Sequence, residues 1–464
     1  MTALLWFRGH DLRLIDNEAL HAAARAGPVL PVYLHAPEDE ENWPLGGAAR
    51  WWLNHSLASL ERNLSRHGAQ LLLRRTSDSV TELLRLVEET GARAIFTHRR
   101  SEPAAAAVEK TLAGVLRERG IELHLSETHT LIPLGSLRTG TGTPYRVFTP
   151  FWRGLLARGE PADPVGVPTF EVVSPTPTTE PLASLGLLDG PDWAEGLRQT
   201  WQPGEGGARC RLEDFCARAR DYGQWRDRPD LHGTSALSPH LRFGEISPRQ
   251  AWHAVRAAAG TGAEPWLRQL AWRDFGHHLL NHFPHTTSEP LRPAFAGFPW
   301  CEDATGLRDW QRGRTGYPLV DAGLRQLWHT GWMHNRVRMV VASFLVKDLM
   351  IEWQHGARWF WETLVDADLA SNTLGWQWTA GCGADASPYF RVFNPVSQGE
   401  RFDPEATYIR RWVCELSTHN PRDAQRPWQV PLISAQYTPP IVDHAQARQR
   451  ALSAYAEVRA QVVA

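Results

Sequence analysis

TGWMHNRVRMVVASFLVKDLMIEW (residues 330–353) and LVDADLASNTLGWQWTAGCGADASPYFRVFNP (residues 364–395) place an Asn-Arg pair, two close acids, an asparagine and spaced tryptophans in one short region. Buried acids are costly unless paired, so a plain hydrophobic core has no use for Asp366, Asp368 and Asn372 just ahead of Trp376 and Trp378. The passage reads as the wall of a cofactor site. Asp368 and Asn372, four apart, share a face if the segment is helical. Two carboxylates this close could form a metal pair or an acid–base pair, whereas Arg336 and Arg338 nearby favour structural ion pairing.

Working outward, residues 1–130 alternate apolar runs with amphipathic stretches. ALLWF, PVLPVYLH, AQLLLRR, ARAIFTH and IELHL read as buried strands. Asn17 to Ala26, Ala48 to His67, Ser79 to Thr90 and Ala104 to Arg119 read as the helices between them. This order predicts a Rossmann-like α/β domain with a parallel sheet and right-handed crossovers. Such a sheet does not name its ligand. From Ala157 to Ala208 the chain turns rich in Pro, Gly, Ser and Thr, so residues 131–208 are expected to be a long connection. Residues 209–464 read as mostly helical, with breaks at Pro248, Pro284 to Pro299, Pro318 and Pro388.

The 464 residues carry a formal net charge of −2, which excludes a generally basic nucleic-acid binder and leaves room for a local basic face. Only Lys110 and Lys347 are lysines; every other basic residue counted with them is arginine, which suits bidentate phosphate contacts. Five scattered cysteines, with no C-x-x-C, indicate neither a disulfide framework nor a zinc site. No apolar run is long enough for a membrane helix, and the Arg-His-Asp cluster near the start interrupts any secretory signal, so a cytoplasmic protein is expected.

Further upstream, TSALSPHLRFGEISPRQAW (234–252) supplies Thr234, Ser235, Leu237 and Ser238 ahead of an expected helix start at Ser238-Pro239. A hydroxyl string of this kind can cap a helix or cradle a phosphate. Taken with the first two stretches, with WFRGHDLRL (6–14) and with IRRW (409–412), it makes the chain resemble the DNA photolyase and cryptochrome family over most of its length.

The resemblance implies a helical FAD-binding domain behind the α/β domain. Thr234, Ser235, Leu237 and Ser238 then match the phosphate-binding motif, and Tyr222, Trp266, Arg273, Arg338, Asp366, Asp368 and Asn372 the remaining flavin contacts. Asn372 falls where the family faces N5 of the ring with a residue that differs between repair enzymes and receptors, and asparagine there points to repair. Trp376, Trp353 and Trp300 match the family's three-tryptophan electron chain, in order from flavin to surface.

Trp272 and Trp378 match the pair lining the lesion pocket, where aromatic faces hold an extruded base. Arg226, Arg273, Arg336 and Gln398 fall where the family contacts phosphates or the lesion. Asn335 and Met339 occupy the positions where an enzyme for (6-4) photoproducts needs a histidine pair. Neither can act as a general acid, so they resemble the cyclobutane-dimer enzymes. Gln269 departs from that pattern, which usually has glutamate there, and puts repair efficiency in question.

The N-terminal domain resembles the family's antenna domain. Glu102 matches an acidic residue of the folate-type pattern, while His98 and Ser101 depart from it. Trp43 can stack a folate or simply anchor its loop. Methenyltetrahydrofolate is the expected second chromophore, with a deazaflavin or FMN as alternatives.

The expected activity is light-driven repair of cyclobutane pyrimidine dimers in DNA, by a metal-free monomer. Its rivals are a cryptochrome-type photoreceptor and a flavoprotein oxidoreductase. The first commonly carries a regulatory tail, for which the chain beyond Trp412 leaves little room. The second wants a nicotinamide fingerprint, and the TGTG near Gly140 is too short to be one.

Overall fold

The computed structural model describes residues 2–386 and 390–463. Pro388, expected to break a helix, lies outside the described residues. Five strands, β1 (Ala3–Phe7), β2 (Val29–His35), β3 (Leu72–Arg75), β4 (Ala94–His98) and β5 (Glu122–Ser126), form one parallel sheet in the order β3-β2-β1-β4-β5. Register is set by pairs such as Ala3 with Val29 and Ala3 with Ala94. All five strands and the four helices between them, Glu18–Ala26, Gly47–Ser65, Ser79–Thr90 and Pro103–Glu118, stand where the apolar periodicity predicts, but β5, read as buried, is an edge strand whose residues are half-buried or exposed.

Alternation explains the packing. Leu4 and Trp6, with Leu30, Val32 and Leu34, project to one face and join Leu83, Leu86, Leu112 and Leu116 of two covering helices. Full burial of each such leucine stabilises by about 1.5–3 kcal/mol. Helix starts follow local chemistry: Asn17 accepts from the Leu20 N–H, and Asp78 from that of Val80.

The Pro-rich connection is better ordered than its composition suggests. It carries the helix Phe148–Leu156, with Phe148, Phe151, Trp152 and Leu155 buried. Further on it runs beside the sheet, where Val29 N–H donates to Glu171 O at 2.8 Å and Glu180 N–H to Leu73 O at 2.9 Å. An extended proline-containing segment suits an open sheet edge because it can pair there without needing every donor.

Contacts divide the chain into two compact units, residues 1–220 with 235–284, and residues 221–234 with 285–464. The long helix Glu264–His282 therefore belongs to the unit that holds the sheet. In the second unit the helices Pro318–Thr330, Asn335–Ser343, Trp353–Thr363 and Leu369–Ala380 build the core. Pro318 starts the first of them, where a missing N–H costs nothing. Gly323 allows close crossing: a Cβ there would lie 2.5 Å from Val337 Cγ1.

Candidate cofactor and lesion site

In the second unit, Asp368 caps the helix Leu369–Ala380 by accepting from Ser371 N–H at 2.7 Å. The cap aims the rest of the helix. One turn in, Asn372 donates through Nδ2 to Ala357 O at 3.0 Å, which commits its amide nitrogen and leaves Oδ1 as the acceptor on offer. Arg338 donates to both oxygens of Asp366, at 3.0 and 2.8 Å, and through Nε to Met333 O at 2.7 Å. Of the two acids, then, one is ion-paired and the other caps a helix. Pairing prevails over the acid–base alternative for Asp366, as its neighbouring arginines suggest.

Trp376 follows on the same helix, 2% exposed, with its ring centroid 5.0 Å from Phe360 and 6.2 Å from Trp310. It lies against Gly356, one turn beyond Trp353 on the helix Trp353–Thr363. Cys301 N–H donates to Met350 O at 2.7 Å and so holds the Trp300 loop near the start of that helix. Trp300 thus lies in a loop tied just ahead of the helix that carries Trp353, and that helix packs on the one that carries Trp376. Among the described residues the Trp376 indole N–H is buried with no hydrogen-bond partner.

Asn335 and Met339, four apart at the start of the helix Asn335–Ser343, meet through Asn335 Nδ2 and Met339 Sδ at 3.8 Å. His334 caps this helix by accepting the Arg336 N–H at 3.1 Å, and burial pushes its pKa down to about 4, so the ring is neutral. Arg336 pairs with Asp227 at 2.9 Å, and Arg226 stands 3.9 Å from the same carboxylate and over the Tyr222 ring. Asp227 is the residue that sequence reasoning missed; its place directly after Arg226 was the available signal. Trp378 and Gln398 are half-buried in this unit, and Thr234 lies at its edge.

In the first unit, Trp266, Gln269, Trp272 and Arg273 all lie on the helix Glu264–His282. Trp272 is half-buried and stacks on Phe148 at 3.8 Å, 8° from parallel, which fixes its ring. Gln269 donates to Pro265 O at 3.0 Å, and Arg273 to His129 O at 2.6 Å. Ser235, Leu237 and Ser238 lead into the short helix Ser238–Arg242, with Leu237 N–H on Ser235 Oγ at 3.4 Å.

Within the second unit, the Arg338–Asp366 pair and Asn372 Oδ1 suit the polar edge of a flavin ring.

At the carboxyl ends of β1, β2 and β3, with Arg100 from the loop after β4, the first unit has a cavity of 160 Å³. Trp6, Tyr33, Arg8, Arg50, Arg75 and Arg100 are among its lining residues. Glu102 is buried beneath it, bonded to Arg100 at 3.1 and 3.3 Å, while Trp43 is half-buried nearby and outside the lining.

Residues 266–457 match the model of the FAD binding domain of DNA photolyase, and residues 3–169 that of DNA photolyase. The chain is 45% identical to a deoxyribodipyrimidine photo-lyase of Agrobacterium fabrum over 98% of each chain. It is 36% identical to cryptochrome-1 of Arabidopsis thaliana over 96% of this chain and 69% of the plant protein. The structure of a bacterial class III photolyase from Agrobacterium tumefaciens superposes with a TM-score of 0.94 at 44% identity, covering 99% of this chain and 98% of that one. An archaeal photolyase from Sulfolobus tokodaii, solved with two FAD molecules, superposes with a TM-score of 0.86 at 31% identity over 98% of this chain and all of that one. On these grounds the chain belongs to the DNA photolyase and cryptochrome family.

Proposed function

We infer that the protein is a deoxyribodipyrimidine photo-lyase that repairs cyclobutane pyrimidine dimers in light. The observation that carries this choice of lesion is the Asn335–Met339 pair. With Nδ2 on the thioether, Asn335 keeps its carbonyl oxygen for a pyrimidine N–H, and the pair has no proton of the acidity that (6-4) chemistry requires.

Reduced FAD, when bound, supplies the electron that light sends to the dimer and recovers it after both cyclobutane bonds open, so no net oxidation occurs. The chain's residues do the positioning. Arg338 and Asp366 hold a fixed charge pair, Asn372 presents its carbonyl, and Trp272, backed by Phe148, offers one flat face for an extruded base. Trp378 is proposed to contact the lesion. Arg226 and Arg336, arranged on Asp227, together with Arg273 and Gln398, are proposed to meet the DNA backbone or the lesion edge.

Trp300, Trp353 and Trp376 are proposed to carry electrons inward when the flavin must be reduced.

A second chromophore is proposed to collect light. Methenyltetrahydrofolate is the first candidate, with FMN or a deazaflavin as alternatives; the cavity is lined by Arg50 and Arg75, with Arg8 and Arg100 already paired to Glu109 and Glu40. We also propose that the protein acts as a monomer in the cytoplasm.

The test is to photoreduce the purified protein and add oligothymidine carrying cyclobutane dimers. Recovery of thymine absorbance under blue light, with none in the dark, establishes repair. Dimer binding without recovery would favour a photoreceptor. Acid extraction and mass spectrometry identify the second chromophore.

A further inference from the structure

We propose that Asp227 is a specificity-determining residue: by holding Arg226 and Arg336 it withholds them from undamaged DNA and so widens the gap in affinity between dimer-bearing and intact duplex. This rests on the reading of those two arginines as DNA contacts.

Carboxylates are shared unequally among the arginines of the second unit. Arg228 pairs with Asp230 at 2.5 and 2.8 Å, and Arg338 with Asp366, one carboxylate to one guanidinium. Arg336 and Arg226 instead converge on a single oxygen, Asp227 Oδ1, with Nη2 of the first at 2.9 Å and Nε of the second at 3.9 Å. Two cations on one anion leave a net charge of +1. His334, which faces Asp227, adds nothing to that sum, because burial pushes its pKa down to about 4.

The two arginines are also aimed. Arg336 lies 4.4 Å from the centroid of the Phe402 ring and Arg226 5.5 Å from that of Tyr222, so each has an aromatic face as well as the shared carboxylate to fix its direction. The Asp227 side chain is 38% exposed, and the cluster is reachable from solvent.

Intact duplex binds through its phosphates, by an attraction that needs no fixed geometry. A phosphate that approaches Arg226 or Arg336 also approaches Asp227, and repulsion from that carboxylate subtracts from the gain. A dimer site adds contacts that do need fixed geometry, and the same carboxylate supplies it by orienting both side chains beforehand. One residue thus weakens the unspecific mode and supports the specific one.

The experiment is dark titration of the flavin-loaded protein with two labelled duplexes, identical except for one cyclobutane thymine dimer, over a range of salt. The parent, Asp227→Asn, Asp227→Glu and Arg336→Ala are compared, each checked by flavin content and thermal melting. Asp227→Asn, which keeps the size of the side chain, should bind intact duplex roughly two- to fivefold more tightly, the strength of a partly exposed ion pair. It should gain nothing on the dimer duplex, so the ratio of affinities falls, whereas Asp227→Glu should keep most of the parental ratio. Equal tightening on both duplexes overturns the proposal, since Asp227 is then only a repulsive charge. Equal weakening, which marks a merely structural residue, overturns it too, as does no change; the reading of the arginines as DNA contacts survives all three. A parent that does not prefer the dimer duplex, or an Arg336→Ala whose salt slope matches the parent's, overturns that reading and the proposal with it.

Discussion

Trp376 rests directly on Gly356: a Cβ at that glycine would lie only 2.0 Å from Cη2 of the indole. Gly356→Ala must therefore push Trp376 away from the helix that carries Trp353. Overpacking of this kind costs about 1–3 kcal/mol. The expected outcome is slowed photoreduction of oxidised flavin with little change in dimer binding, measured by flavin bleaching under blue light and by DNA titration.

Removing Arg338 strands Asp366, whose residue is 8% exposed. Arg338→Ala should lower stability by roughly 1–3 kcal/mol and weaken flavin retention, whereas Arg338→Lys should restore part of the first and less of the second. Thermal melts and the flavin-to-protein absorbance ratio after dialysis check this.

Arg336 sits over the Phe402 ring at 4.4 Å and pairs with Asp227. If it meets a phosphate, Arg336→Ala should lower the slope of log affinity against log salt by about 0.9. An unchanged slope would remove Arg336 from the DNA surface.

Gln269→Glu supplies an ionisable carboxyl on the same helix face. More dimers should be split per absorbed photon, with the gain largest at acidic pH where the carboxyl holds its proton. Quantum yields across pH decide the matter, and a lower yield at every pH would show that the amide is the better partner here.

Burial raises Asp274 to about 7, and its Oδ1 is buried without a partner while Oδ2 accepts from Leu131 N–H at 2.8 Å. Between about pH 4 and pH 7 the folded chain holds a proton that the unfolded chain has shed, so this group's contribution to stability falls as pH rises through that window. Asp274→Asn should flatten the fall and raise the melting temperature at the alkaline end. Melts from about pH 5 to 8 measure it.

Strands and capped helices were legible because their signals are local: ALLWF is apolar throughout, and Asn17 and Asp78 are recognisable caps. The helix Phe148–Leu156 was hidden because FTPFWRGLL is short and lies among turn residues, and its purpose depends on Trp272, far along the chain. Resemblance could nominate Trp376 and Trp353, yet no pattern in the sequence could mark Gly356, since a helical glycine gains meaning only from the ring laid across it. Asp227 is similar: adjacency joins it to Arg226, and only the fold brings Arg336 to it.

The extended segment beside β3 also sets where the protein can be cut. A fragment ending at residue 130 would leave Leu73 O without the Glu180 N–H and Val29 N–H without the Glu171 carbonyl. It would thus offer neighbouring molecules a bare strand to zip onto. The smallest fragment that keeps the sheet edge covered should therefore include residues to at least Glu180, and a nick between residues 130 and 170 should leave the two pieces associated until denaturant parts them.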